Sequence, residues 1–420
     1  MGSSLVPRAE IPPPICSDIP GTWAYDTMSG RIRTTILAKI PRENDLTEAA
    51  LARLEDLDEE LKSAGDCRLR LIVDDGGPEV QDWNERILTP FLDRTWLSAP
   101  WAVAEFYFYR RVIEAVDYFK TRQDPFHLQK ELGLSSAVEP IEQVVDRVNT
   151  ICGKQSFSEL DFAAVVKNAL WGNRMDLSIW PIGEAGAAGD SNAQRAGDSA
   201  KGQAEKMILS NDVDQLCKYV AENIPMERID IVVDNAGFEL FCDLCLADYM
   251  ISSGSAKCVT LQLKAHPTFV SDAMEKDVER TIDFLEQFAE SKPNVAKIGR
   301  RMRSHVENGY WKLVENFFWV QPNAFWEMPG DLRSDLRERS SLTFLKGDAN
   351  YRRLLGDCQW TFTTPFSDVA NYFPSPICAL RTFKAEIACG LTRSSIQEAS
   401  NEDPNWLVSG RYGVIQFLIT

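Results

Sequence analysis

The chain has 420 residues, enough for one large α/β domain or two smaller ones, and 44% of them are hydrophobic, as in globular proteins. Its formal charge of −17 comes from 62 acidic and 45 basic residues. This charge disfavours nucleic acid as a partner, and no apolar run approaches the roughly 20 residues of a membrane span. We therefore expect a cytoplasmic protein without a membrane or nucleic-acid partner, and a nuclear location stays open.

Neither the N-terminus nor the cysteines indicate a function. The opening MGSSLVPR resembles the remnant of a purification tag, so residues 1–8 are left out of the fold prediction. Ten cysteines at irregular spacing favour free thiols over a disulfide framework. The one CxxC, from Cys242 to Cys245, has no second pair and no nearby histidine. It predicts packed thiols more strongly than zinc or redox chemistry.

Residues 9–182 predict a mainly helical N-terminal part, and the helical pattern continues to about residue 223. TEAALARLEDLDEELKSAG and WAVAEFYFYRRVIEAVDYFK both have apolar residues at helical spacing. Between them, LRLIVDDGG resembles a strand followed by two acids. A haloacid dehalogenase type of phosphatase needs acids two residues apart, whereas Asp74 and Asp75 are adjacent. A polar turn is therefore the preferred interpretation.

The second half of the chain predicts an α/β domain. Residues 183–205 are rich in Gly, Ala, Ser and charge, which indicates a mobile surface loop. From residue 206 to 420, strand-length apolar runs alternate with helical segments such as VERTIDFLEQFAE. This alternation predicts a mostly parallel sheet covered by helices. The runs are RIDIVVD, KCVTLQLK, WKLVENFFWV, SLTFLKG and ICALRTFK.

Polar residues follow several of these strands, at the edge where open α/β sheets bind their ligands. Carboxylate and amide oxygens there suit Mg²⁺ or Mn²⁺, and lysines pair with phosphate oxygens. A helix starting at Ala236 would also direct its amide groups at an anion. Together they suggest metal-assisted transfer of a phosphoryl group to water. The residues are Asp234 and Asn235, then Asp272, then Lys346, Asp348 and Asn350, and finally Arg381 and Lys384.

Each of these residues also has an ordinary structural interpretation. Asp234 and Asn235 could form a common strand-to-helix turn, and Asp272 could cap the next helix. Lys346 and Lys384 could be solvated strand ends. The combination favours a functional site more than any one member does.

Several motifs give the chain a resemblance to the damage-control phosphatase family, metal-dependent proteins once called domain of unknown function 89. The matching stretches from about Pro20 onward are VVDNAGFEL, HPTFVSD, FLKGDANYRRLLGD and RTFK, supported by EFYFYRR, DPFHLQKELGL and LWGNRMDLS. RTFK resembles the Arg-Thr-x-Lys signature of one branch. That branch contains the eukaryotic sugar-phosphate phosphatases and the protein named acidic residue methyltransferase.

The resemblance implies a helical N-terminal part packed on a three-layer α/β/α, Rossmann-like domain. It also implies one divalent cation per chain, which could be Mn²⁺, Mg²⁺, Co²⁺ or Ni²⁺, and a small phosphorylated metabolite as the partner. By motif position, Asp234, Asn235 and Asp272 would bind the metal, and Lys384 would join them in catalysis. The implied substrate-binding residues are Glu105, Asn173, Lys346, Asp348 and Arg381.

The resemblance implies removal of phosphate from damaged or surplus metabolites, including ketose phosphates such as fructose 1-phosphate, with water or an aspartate as the nucleophile. The alternative is a carboxyl methyltransferase that uses S-adenosylmethionine. DNAGFEL has one glycine and lacks the Gly-rich loop by which a typical methyltransferase approaches its cofactor. A catalytically inactive binding module of the same fold is the third possibility, and the competent residues at the metal and phosphate positions disfavour it.

Overall fold

A single seven-stranded sheet forms the centre of the computed structural model, which describes residues 5–172 and 205–420. The strand order across the sheet is β1-β7-β6-β5-β2-β3-β4. Only β6 and β7 are antiparallel neighbours, and the other pairs are parallel. The predicted mostly parallel α/β fold is therefore confirmed. The strands are β1 (Ile208–Asn211), β2 (Ile229–Val232), β3 (Val259–Lys264), β4 (Trp311–Asn316), β5 (Leu342–Lys346), β6 (Ile377–Thr382) and β7 (Gly413–Leu418).

Five of the longer helices precede the sheet in the chain, and the others lie between its strands. Together they cover both faces of the sheet. The longer ones are α1 (Glu48–Lys62), α2 (Trp101–Ala115), α3 (His127–Ser135), α4 (Val138–Gly153), α5 (Glu159–Trp171), α6 (Val213–Asn223), α7 (Phe238–Ser252), α8 (Glu275–Glu286), α9 (Pro293–Glu307), α10 (Gly330–Arg339), α11 (Asp348–Leu354) and α12 (Arg393–Glu402). A helical turn, Trp23–Asp26, leads into a π-helix, Thr27–Ile36. Shorter helical segments are Leu37–Lys39, Ile40–Glu43, Val80–Asp82, Trp83–Leu88, Thr89–Phe91, Tyr118–Thr121, Phe317–Val320, Phe325–Glu327 and Phe366–Val369.

The hydrophobic core lies on both faces of the sheet. Every residue of β2, β3, β5 and β6 is buried, as expected for strands covered on both sides. Neighbouring residues of β2 belong to different clusters: Val232 packs in one and Ile231 in the other, because successive strand side chains point to opposite faces. Each cluster also contains side chains from the N-terminal helices, such as Tyr107 in the first and Phe162 in the second.

Two parts of the chain differ from the sequence-based expectation. β1 lies within the stretch whose pattern was helical, and only its first two residues are buried, so it lacks the apolar signal of a central strand. LRLIVDDGG contains no strand. Asp75 instead receives two hydrogen bonds from the buried Arg110, at 2.8 and 2.9 Å. This ion pair supports the polar-turn interpretation.

Two further predictions concern the state of the cysteines and membrane-spanning helices. All ten cysteines are free, and Cys242 and Cys245 are buried in α7. They are therefore packed thiols, and their burial raises the pKa of both well above the usual value. Of the helices in the described ranges, none has the combined length and hydropathy that a membrane crossing needs.

Candidate functional site

The carboxyl ends of β2 and β3 bring three predicted residues together. Asp234 and Asn235 follow β2, and the loop after β3 returns Asp272 to their side. Asn235 and Asp272 form an isolated antiparallel bridge, and the Ala273 N–H donates to the Asp234 carbonyl at 2.8 Å. Backbone hydrogen bonds therefore hold the two stretches in register, and their side chains line the same cavity.

The helix after this turn starts later than predicted. α7 begins at Phe238, preceded by Gly237 with φ of +75°, a conformation that favours glycine. The Ala236 N–H donates to the Ser271 carbonyl at 2.6 Å. It is therefore engaged with the protein, and the expectation that a helix starting at Ala236 points its amides at an anion is wrong.

The capping interpretations of the acidic residues are also wrong. Gly237 stands at the N-cap of α7, in place of Asp234 or Asn235. The N-cap of α8 is Met274, two residues after Asp272. These carboxylates are thus not explained by helix capping, and their position at the cavity needs another reason.

Hydrogen bonds orient the Asn235 amide. Its Nδ2 donates to Asp234 Oδ2 and to Glu239 Oε2, both at 2.8 Å. The Ser271 hydroxyl donates to Asn235 Oδ1 at 2.6 Å. The amide is therefore held from three sides, and one lone pair of its oxygen is left for another partner.

The carboxylates of the site are buried close to one another. Burial raises the pKa of Asp234 well above the usual value, and Asp272 and Glu239 raise it further, against the opposing charges of Lys264 and Lys384. Burial also raises the pKa of Asp272, although Lys264 Nζ lies 3.1 Å from its carboxylate. A bound divalent cation would stabilise the charged form of both carboxylates.

The donor set fits a hard divalent cation. Two carboxylates and one amide supply only oxygen ligands, the kind that Mg²⁺ and Mn²⁺ prefer. Within residues 5–172 and 205–420, no group of three or more His, Cys, Asp or Glu side chains is arranged to hold a metal. A cation at Asp234, Asn235 and Asp272 would therefore leave coordination positions to water or substrate.

The cavity at these residues has a volume of about 390 Å³. It combines a charged region with aromatic and aliphatic side chains. The charged and polar lining includes Glu105, Asp234, Asn235, Ser271, Asp272, Asp348, Arg31, Arg352 and Lys384, and the apolar lining includes Trp23, Ile32, Ile36, Trp101, Tyr109 and Phe269. Such a mixed lining suits a small polar molecule with an anionic end.

Glu105 reaches the cavity from α2, as the motif predicted, and is engaged with an arginine. Arg352 Nη1 donates to Glu105 Oε2 at 2.6 Å, and the same guanidinium binds Asp357 at 2.8 and 3.0 Å. It also lies 3.5 Å from the centre of the Trp101 ring. Burial raises the pKa of Glu105, and Arg352 opposes that shift.

Asp348 and Lys384 line the cavity, whereas Arg381 lies behind it. Arg381 is fully buried and binds Asp348 at 2.7 Å, and it donates to the Ala385 carbonyl at 3.0 Å. The Lys384 N–H donates to Asp348 Oδ1 at 3.1 Å. Arg381 therefore positions Asp348 and the loop of Lys384, and the structure gives its guanidinium no direct access to a substrate.

Lys346 is also behind the cavity wall, contrary to its predicted role as a substrate ligand. Its Nζ donates to the Ala169 carbonyl at 2.7 Å and lies 3.1 Å from Asp243 and 3.4 Å from Glu239. Because Glu239 accepts from Asn235, one side chain, that of Glu239, connects Lys346 to the site. Its ammonium is one of the most deeply buried cations in the described part of the chain.

Two further predicted residues remain. One does not line the cavity, and the other lies outside the residues that the structure describes. Asn350 is fully buried, and its Nδ2 donates to the Lys346 carbonyl at 2.9 Å. Asn173 lies outside the described residues, as does the predicted loop 183–205 except for Glu205.

Sequence reasoning missed several residues of the cavity lining. Trp23 and Arg31 come from the N-terminal helical segments, far in sequence from every predicted strand. Ser271 and Arg352 lie inside the quoted motifs HPTFVSD and FLKGDANYRRLLGD, where position in the motif could have identified them. Nothing in the local pattern around Arg31 indicates a binding residue.

Comparisons with known proteins agree with the motifs. The family described as "Damage-control phosphatase ARMT1-like domain" matches residues 27–399. The protein named damage-control phosphatase ARMT1 from Danio rerio is 30% identical over 455 aligned positions, which cover 97% of this chain and 97% of that protein. The proteins of the same name from Bos taurus and Homo sapiens are each 33% identical over 77% of this chain and 75% of their own length.

Among solved structures, a DUF89 family protein from Pyrococcus horikoshii aligns with a TM-score of 0.45 and 12% identity, over 87% of this chain and 95% of that one. The family match and the Danio rerio relative, which aligns over 97% of this chain, are sufficient to assign the family. The chain belongs to the damage-control phosphatase ARMT1-like domain family.

Proposed function

We propose that this chain is a metal-dependent phosphatase that hydrolyses phosphomonoesters of small metabolites, with sugar phosphates such as fructose 1-phosphate as the substrate class. Its relatives are named damage-control phosphatases. The observation that carries the proposal is the convergence of Asp234, Asn235 and Asp272 with Lys384 in one cavity.

The three oxygen donors would hold the metal. A divalent cation bound there supplies a Lewis acid for the phosphoryl oxygens and lowers the pKa of a bound water. The protein fixes the donors in advance, because Ser271 and Glu239 hold the Asn235 amide and the backbone bridge holds Asp272 beside Asn235. Preorganised charge of this kind does not have to reorient as the reaction proceeds.

Lys384 would stabilise the charge of the phosphoryl group. Its side chain lines the cavity, and among the described residues no carboxylate lies within ion-pair distance of its ammonium. Its backbone is anchored to Asp348, which fixes where the side chain starts. An unpaired ammonium near a dianionic phosphate adds stabilisation that grows as charge moves onto the transferring oxygens.

Other residues of the cavity lining would suit a polyol. Glu105 and Asp348 each bind an arginine through one side, and a carboxylate so bound still has lone pairs that accept from hydroxyl groups. Trp101 and Tyr109 add aromatic surface. A phosphorylated sugar offers both the hydroxyl donors and the apolar C–H faces that such a lining can contact.

The test is release of inorganic phosphate from fructose 1-phosphate with Mn²⁺, with and without a chelator, alongside Mn²⁺ binding. Asp272→Ala should abolish both binding and turnover. Lys384→Ala should lower turnover by roughly 10²-fold and leave Mn²⁺ affinity nearly unchanged, since it removes an electrostatic donor and no metal ligand. Lys384→Arg should rescue only in part.

The control variant is Asp93→Ala, whose carboxylate is 77% exposed and does not line the cavity. It should bind Mn²⁺ and turn over like the wild type. Phosphate release that survives the chelator would contradict metal dependence. Near wild-type turnover in Asp272→Ala would remove that residue from the ligand set.

A further inference from the structure

Arg31 enters the cavity from a part of the chain that carries none of the predicted site residues. It belongs to the π-helix Thr27–Ile36, on which Thr27, Arg31 and Thr35 recur every four residues and line the cavity together. The helical turn Trp23–Asp26, which leads into this π-helix, is bound to the loop of Lys384, because the Trp23 N–H donates to Glu386 Oε2 at 3.0 Å.

The Arg31 guanidinium is held in place without being neutralised. Its carbon lies 4.0 Å from the centre of the Trp23 ring, and Nη1 donates to the Thr27 hydroxyl at 3.2 Å. Neither partner is an acid, and the part of the chain that the structure describes places no carboxylate within ion-pair distance of Arg31. Most of its N–H donors therefore remain for a ligand.

The positive charges that line the cavity have different partners. Arg352 is engaged by Glu105 and Asp357. The charge of Lys384 acts on Asp234. Arg31 acts on Tyr109: burial raises the pKa of that phenol well above its usual value, Glu105 and Asp272 raise it further, and the charges of Arg31 and Arg352 partly oppose the shift.

We infer that Arg31 binds oxygen atoms of the part of the substrate that is not transferred, and so determines specificity for a phosphorylated polyol over other phosphate esters. This inference rests on the proposed phosphatase function. A planar guanidinium can donate two parallel hydrogen bonds to adjacent oxygens, whereas an aryl group offers it no such acceptors.

The experiment compares kcat/KM on fructose 1-phosphate with kcat/KM on phenyl phosphate, whose leaving group has no hydroxyls and no oxygen besides that of the ester bond. In Arg31→Ala, the ratio of the two values should fall by about tenfold or more, the loss expected for a hydrogen bond to a charged group. Arg31→Lys should restore the ratio only in part, because an ammonium lacks the fork. Trp23→Leu should also lower the ratio, because it removes the ring on which the Arg31 guanidinium stacks.

Arg86→Ala is the matched control, since Arg86 lies on another helical segment and pairs with Asp82 on the surface. It should leave the ratio unchanged. An unchanged ratio in Arg31→Ala, or an equal loss on both substrates, would overturn the inference while leaving the phosphatase function intact.

A wild-type protein that hydrolyses neither ester would instead refute the proposed function. Calorimetry with fructose 1-phosphate and with inorganic phosphate, in the presence of Mn²⁺, then decides the role of Arg31. Arg31→Ala should weaken binding of the sugar phosphate about tenfold more than binding of inorganic phosphate. Equal weakening, or none, would overturn the inference.

Discussion

Gly347 shows how tightly a single residue limits the metal end of the cavity. It follows β5 with φ of +86°, and a Cβ atom added there would lie 1.8 Å from Asp234 Oδ2. Gly347→Ala must therefore displace the Asp234 carboxylate or shift the turn. We expect turnover to fall by roughly 10²-fold or more, because small misplacements of a catalytic group have effects of this size.

The matched control for this substitution is Gly309→Ala. Gly309 has a similar φ of +73°, but an added Cβ meets nothing within 4 Å. Gly309→Ala carries the backbone cost of a side chain at positive φ. Gly347 has φ of 86° and ψ of 175°, a conformation almost confined to glycine, so Gly347→Ala carries a backbone cost of roughly 1–3 kcal/mol as well. If the two variants lose activity equally, backbone strain explains the result and the contact with Asp234 does not.

His266 makes the free energy of unfolding depend on pH. It is fully buried, and burial, reinforced by Arg110, lowers its pKa to about 3. An unfolded histidine titrates near 6.5. Between these values the unfolded chain binds a proton that the folded chain does not, so stability falls as the pH drops from about 6.5 towards 3.

The measurement is the free energy of unfolding in urea at pH 6.5 and at pH 5, for the wild type and for His266→Gln. The wild type should lose roughly 2 kcal/mol more than the variant over this interval, at about 1.4 kcal/mol per pH unit for one group. Other titrating groups are common to both proteins. A difference between the two proteins that does not change with pH would contradict the prediction.

At the scale of elements, Lys346 joins β5 to two helices. It pairs with Glu239 and Asp243 of α7 and donates to the carbonyl of Ala169 in α5. Burial raises the pKa of Asp243 to about 7, against the charge of Lys346. Lys346→Met would leave these buried carboxylates without their cation, which typically costs about 3–5 kcal/mol of stability.

Urea denaturation of Lys346→Met should show this loss, and Lys346→Met combined with Asp243→Asn should recover part of it. Lys218→Met is a suitable control, because that lysine side chain is 76% exposed. A loss of turnover near 10²-fold with stability unchanged would instead favour the direct substrate contact that the motif predicted.

At the scale of the whole molecule, the helical N-terminal part and the sheet share their hydrophobic core. Phe106 of α2 and Tyr351 of α11 belong to one cluster, and Ile141 of α4 and Ile229 of β2 belong to the other. Because neither part can bury its apolar surface alone, we expect a single cooperative unfolding transition.

Tryptophan fluorescence and far-ultraviolet circular dichroism should therefore give coincident urea transitions. Trp83 and Trp96 report on the N-terminal part, and Trp311 and Trp319 report on the sheet and the segment that follows β4. Two separated transitions would contradict the shared core and would favour independently folding domains.

The sequence by itself determined the family, the α/β class and five of the seven strands. These features are local: β2, β3, β5 and β6 are buried along their length, so their apolar runs are continuous, and the family motifs are short stretches of chain. The same local signal placed Asp234 and Asn235 just beyond one strand and Asp272 in the loop after the next, at the edge where a parallel sheet gathers such residues.

Only the tertiary structure decided which charged side chains face the cavity. Arg352 meets Glu105 across 247 positions of sequence, and Trp23 meets Glu386 across 363, separations at which no periodic pattern exists. Lys346, Arg381 and Lys384 look alike at strand ends, yet two are buried in ion pairs and one lines the cavity. Their difference arises from what packs around them, because a buried charge needs opposite charges or hydrogen-bond acceptors from other elements.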